Sequence, residues 1–124
     1  LTSFVELSKQ NHFVPVVVYT PAAYTAYAEN VVYDDPTLSS LMPWFSQQQR
    51  NYFKDQGSAL GYLFLDLTPF LQSAAKSTEG QNDLLYFKAN RHLNQLGHAL
   101  AANAISDTLR SIYGGLNPEK TANP

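Results

Sequence analysis

Two short runs limit what this chain can fold into: Val14-Pro15-Val16-Val17-Val18-Tyr19 and Gly61-Tyr62-Leu63-Phe64-Leu65-Asp66. Neither alternates polar with apolar residues. A strand with one wet face alternates; a strand without that alternation is buried on both faces, as in a parallel sheet covered by helices. Each run is followed by a Thr-Pro pair, Thr20-Pro21 and Thr68-Pro69. Threonine caps a helix and proline suits its first position, so each strand should feed a helix. Pro15 has no N–H to give a ladder and belongs at the start of its strand. Leu84 to Phe87 reads as a third strand.

Helices fill the intervals. Leu1, Phe4, Val5 and Ser8 have helical spacing, with Thr2 or Ser3 as cap and Asn11-His12 as the end. Ala22 to about Val32 is expected to be helical, with Tyr24, Tyr27, Ala28 and Val31 on one face, until Asp34-Asp35-Pro36 breaks it. Asp35 or Thr37 caps the next helix, which is expected to reach about Gln56 and stop at Gly57. Its apolar set is Leu38, Leu41, Met42, Phe45, Tyr52 and Phe53, with Trp44 beside it. Pro43 marks a kink or the true start of that helix. Phe70, Leu71, Ala74 and Ala75 carry another helix, 77–83 is a polar loop, and the last helix runs from Asn94 to about Tyr113. Residues 114–124 open with Gly114-Gly115, contain two prolines and are expected to form a flexible tail.

The order α-β-α-α-β-α-β-α predicts an α/β domain over residues 1–113: three layers, a parallel sheet with helices on both faces. Three strands are few for such a sheet. Val14–Tyr19 would be left with a bare apolar edge, a template for pairing with another chain. The expectation is an incomplete sheet whose partner strands precede Leu1. The bare edge then takes up that missing half or drives self-association. A first residue other than Met fits a processed chain or a piece of a longer one.

Composition narrows the chemistry. The 124 residues suffice for one core, and a net charge of −2 offers no general grip on nucleic acid. With no cysteine there are no disulfides, thiolate metal sites or cysteine nucleophile. No run is long and apolar enough to span a bilayer. His12, His92 and His98 have no carboxylate or cysteine near enough in sequence to complete a metal set, so neither metal nor cofactor is expected. Tyr24, Tyr27, Tyr33, Trp44, Phe45, Tyr52 and Phe53 form either core packing or a wall for a sugar or acyl group.

The segment Tyr86-Phe87-Lys88-Ala89-Asn90-Arg91-His92-Leu93-Asn94-Gln95-Leu96-Gly97-His98 carries the strongest functional signal. Asn94 is a good N-cap, and Leu93 and His98 occupy the two positions of a hydrophobic staple. Gly97 permits close packing of the first turn. His92 then stands just outside the positive end of a helix, where the dipole disfavours imidazolium. A neutral ring is what a general base needs. The plain alternative is a surface or packed histidine beside a helix start.

This segment, with Ala101-Ala102 and Ile105, resembles the C-terminal block of SGNH (GDSL-type) hydrolases, as do Val16-Val17-Val18-Tyr19-Thr20-Pro21 and Leu63-Phe64-Leu65-Asp66-Leu67-Thr68-Pro69. The likeness covers roughly residues 14–113. It implies a flavodoxin-like fold and ester hydrolysis or acyl transfer by a serine, with His92 as general acid/base oriented by a carboxylate. Two departures follow. The family's Gly-Asp-Ser block is absent, and Ser58, in Gly57-Ser58, reads as turn punctuation. The family's aspartate, two or three residues before its histidine, falls on Asn90 and Ala89. Asp66, at the end of the second strand, is the available substitute, unless it is a loop or cap carboxylate. The expectation is the C-terminal part of an SGNH-type esterase, with His92, Asn90 and Asp66 at its site and the nucleophile elsewhere. Such a chain is inactive alone; its substrate class would be a small ester or an acylated carbohydrate or lipid. The alternatives are a non-catalytic α/β domain binding a ligand or partner in the same crevice, and a fragment used for assembly.

Overall fold

The computed structural model describes residues 1–77 and 84–114. Most of the polar loop at 77–83 and all but the first residue of the 114–124 tail lie outside the described residues. The elements are α1 (Thr2–Asn11), β1 (Val16–Tyr19), α2 (Ala23–Ala26), α3 (Pro36–Leu60), β2 (Leu63–Asp66), α4 (Thr68–Ser77) and α5 (Gln95–Tyr113).

β1 and β2 pair in parallel, with Val16 opposite Leu63 and Tyr19 opposite Asp66. The ladder reaches one residue past each strand, since Leu63 N–H donates to the Pro15 carbonyl and Leu67 N–H to that of Tyr19. Pro15 therefore enters the sheet as an acceptor alone, at the strand's start. The described chain is mixed α/β, with a two-strand parallel sheet and five helices.

The expected third strand is absent from that sheet. Leu84–Phe87 instead folds back on the residues that follow it, through an antiparallel bridge between Tyr86 and Leu93. Phe87 N–H donates to His92 O at 2.8 Å, and Asn94 N–H to Leu85 O at 2.9 Å. Leu85 N–H is satisfied sideways by the Tyr27 hydroxyl at 2.7 Å. Backbone groups that a sheet strand would offer to a neighbour are taken up locally.

Two helix boundaries also depart from expectation. The helix after β1 is a single turn, Ala23–Ala26, and Ala22 rather than Thr20 occupies its cap position. The chain then turns, with Asn30 N–H donating to Tyr27 O, and runs on without regular structure to Asp35. α3 continues past Gly57 to Leu60, and the stop is Gly61, left-handed at φ 90°. Gly57 serves packing: a Cβ there would meet the Tyr62 ring and carbonyl at 3.1 Å. Asp35 caps α3 by accepting from Thr37 N–H at 2.7 Å, and Pro43 lies inside the helix without ending it.

The aromatic stripe of α3 faces outward. Its buried residues are Ser46 and Gly57, while Leu38, Leu41, Trp44, Phe45 and Tyr52 are exposed. Length explains this. Twenty-five residues make a rod of about 37 Å, whereas a four-residue strand spans about 13 Å. Only part of α3 has a sheet to lie on, and there it approaches through small or polar side chains and through Phe53, whose ring stacks on Phe64 of β2 with centroids 6.5 Å apart. Ser46 accepts from the Thr25 hydroxyl at 3.2 Å, and Gln49 accepts from the Tyr19 hydroxyl at 3.3 Å.

The core lies between β2, α4, α5 and the 84–93 hairpin. It holds Leu65, Leu67, Leu71, Ala75, Leu85, Tyr86, Leu93, Ala101 and Ala104, joined by Ala26 of α2. Leu85 is wholly buried, so the hairpin, though no sheet strand, is anchored as firmly as one. Among the described residues no helix is long and apolar enough to cross a membrane.

Candidate functional site at the 84–98 hairpin

The hairpin turns at Lys88–Asn90 and returns through Arg91, His92 and Leu93. Arg91 is left-handed at φ 58°, a conformation that costs a non-glycine residue about 1 kcal/mol or more. Two bonds hold it there. Arg91 N–H donates to Phe87 O at 2.9 Å, and His92 N–H donates to the Asn90 side-chain oxygen at 3.1 Å.

Asn94 fastens the hairpin to α5. Its side-chain oxygen accepts from Gly97 N–H at 3.0 Å, the N-cap bond expected of it. Its amide nitrogen donates to Leu84 O while its backbone N–H donates to Leu85 O. Gly97 completes the joint, because a Cβ there would overlap the Leu85 carbonyl oxygen and stand 2.8 Å from Leu93 Cδ2. His92 is thus carried on a short, doubly fastened lever rather than a free loop.

His92 is exposed and lines a groove of about 380 Å³ with Thr20, Leu67, Leu93 and His98. Thr20 is the residue after β1, and Leu67 the residue after β2. The groove therefore lies at the carboxyl ends of the parallel strands, where open α/β sheets bind their ligands. Among the described residues the His92 ring makes no hydrogen bond or ion pair. His98 shares the groove and is exposed, whereas Leu93, its proposed staple partner, is buried. His12 instead ends α1 in a left-handed cap at φ 54°.

The two candidate orienting groups are turned to other tasks. Asn90 directs its side-chain oxygen at the His92 backbone and so shapes the turn. Asp66 accepts from Thr68 N–H at 2.9 Å on one oxygen and from the Arg50 guanidinium at 3.4 Å on the other. It lines a separate depression with Arg50, Gln47 and Lys54. Ser58 lies in α3, exposed, and donates to Lys54 O. No cluster of three His, Asp, Glu or Cys side chains able to hold a metal occurs among the described residues.

Sequence reading missed Thr20 as a groove residue and missed a second, larger cleft on the other side of the turn. That cleft is about 730 Å³ and is lined by Tyr24, Tyr27, Tyr33, Tyr86, Lys88 and Arg91, among others. Three of its tyrosines were visible as an aromatic cluster; their grouping with the 84–91 turn was not, because nearly sixty residues separate them. Trp44, Phe45 and Tyr52 do not line it. Burial pushes the Tyr24 phenol up, with the nearby Tyr19 and Tyr33 phenols adding to the effect. Burial raises Tyr86 further, and its hydroxyl donates to Pro21 O at 2.8 Å.

No family model, curated protein or solved structure matches the chain.

Proposed function

We propose that this chain supplies the general acid/base histidine, His92, of an SGNH-type ester hydrolase, the serine nucleophile coming from a segment outside residues 1–124. The observation that carries the reading is the position of the ring: solvent-accessible, on a braced turn, in a groove with the residues that directly follow both parallel strands. A nucleophile at the end of a further parallel strand, added beside β1, would open into the same groove. There the imidazole takes the serine proton as the hydroxyl attacks an ester carbonyl, then returns it to the leaving alcohol.

A second reading, a ligand-binding domain without catalysis, draws on Asn90. Its side-chain oxygen is bound to backbone, and among the described residues no carboxylate orients the ring. The two readings separate with p-nitrophenyl acetate. The 124-residue chain alone should show no turnover above its His92→Ala variant. In the longer polypeptide or assembly that brings the serine, His92→Ala should cut kcat/KM by about a thousandfold or more. Equal rates there would leave the binding reading in its place.

A further inference from the structure

The 730 Å³ cleft on the far side of the turn is within the range of small-ligand sites, and its lining is mixed in a telling way. Its floor is rigid. Tyr27 and Tyr86 meet edge to face, ring centroids 5.9 Å apart, and both hydroxyls are engaged, one by Leu85 N–H and one by Pro21 O. Tyr24 and Tyr33 add further aromatic surface. Val32, on the rim, is 90% exposed, an apolar side chain left in water. Lys88 and Arg91 line it too, both exposed, and neither takes part in an ion pair among the described residues. Asp34 and Asp35 also belong to the lining, together with the apolar Val31, Leu38 and Met42. Arg91, left-handed at φ 58°, lines this cleft, while the next residue, His92, lines the groove.

An acyl tail would find apolar contacts in such a lining but would leave the carboxylates of Asp34 and Asp35 without a donor. A sugar ring offers what the lining asks for: C–H faces to lie on tyrosine rings, hydroxyls to donate to carboxylates, and an acid group to accept from the guanidinium and ammonium. We propose that this cleft binds one or two rings of an acidic oligosaccharide, with the sugar carboxylate held by Arg91 and Lys88. The claim goes beyond the ester-hydrolase reading and does not depend on it, since it concerns affinity and not turnover.

Calorimetric titration of the whole chain at low salt tests it, with tetragalacturonate as the acidic probe, maltotetraose as the neutral one and dodecanoate as the acyl one. Tetragalacturonate should bind at least tenfold more tightly than either of the others. Arg91→Asn, which tolerates the left-handed backbone, and Lys88→Gln, at an exposed turn, should each weaken tetragalacturonate at least tenfold with an unchanged circular dichroism spectrum. Tyr33→Ala should weaken it as well, and His92→Ala should leave it unchanged. No binding of tetragalacturonate at millimolar concentration, equal binding of maltotetraose, preference for dodecanoate, or full affinity in both charge variants would overturn the proposal.

Discussion

The bare Cα of Gly97 packs against the carbonyl of Leu85, leaving no room for a side chain. That contact sets the first turn of α5 on the outgoing arm of the hairpin and so sets where His92 stands. On an open helix, alanine in place of glycine would stabilise by about 1 kcal/mol. Here Gly97→Ala must displace buried backbone, and overpacking of this kind costs about 1–3 kcal/mol. The variant should lower the urea midpoint. A raised midpoint would show that the joint is loose enough to admit a methyl group.

Asp66 separates capping from charge. One oxygen accepts from Thr68 N–H at the start of α4, and the other meets Arg50. Asp66→Ala removes the cap and should cost about 1 kcal/mol. Asp66→Asn keeps an acceptor for Thr68 and loses only a partly exposed ion pair, worth under about 1 kcal/mol. In the proposed esterase assembly, Asp66→Asn should leave kcat near wild type, because this carboxylate faces α3 and not the groove. A drop of several orders of magnitude would assign Asp66 to His92 after all.

Thr68 is almost wholly buried, and its hydroxyl has no partner among the described residues. An unsatisfied buried hydroxyl costs about 1–3 kcal/mol, while valine has nearly the same shape. Thr68→Val should therefore be neutral or stabilising by up to about 1 kcal/mol in chemical denaturation. A clear loss of stability would reveal an acceptor for that hydroxyl.

Tyr86 predicts an alkaline effect. Burial raises its pKa above the ordinary 10.0. The unfolded phenol then ionises first, so the unfolded state gains free energy from ionisation that the folded state does not. Stability attributable to Tyr86 is full below pH 10.0 and falls as the pH rises past it. Tyr86→Phe loses the bond to Pro21 O and should cost about 1 kcal/mol at neutral pH. The gap between variant and wild type should narrow above pH 10.0, as read from urea midpoints at pH 8 and at successively higher values. A constant gap would mean that the phenol is not shielded from water.

The sequence by itself determined the local chemistry. Unbroken apolar runs made β1 and β2, with Pro15 at an entry, because strand propensity and a missing N–H are properties of single residues in a row; burial on both faces did not follow, since no residue of β1 and only Leu65 of β2 is buried among the described residues. Asn94 capped α5 for the same reason. Three matters belonged to tertiary structure. Leu84–Phe87 has a strand's composition but pairs with Leu93, because its neighbours in space are the hairpin return and Tyr27 rather than a free sheet edge. α3 turns Trp44, Phe45 and Tyr52 to water and keeps only Phe53 on the sheet, because a helix nearly three times the length of its strands has nothing to cover most of it. Thr20 shares a groove with His92, and Tyr24 and Tyr33 share a cleft with Arg91, because parallel strands deliver their carboxyl ends to one side. No local spacing encodes that meeting of residues far apart in the chain.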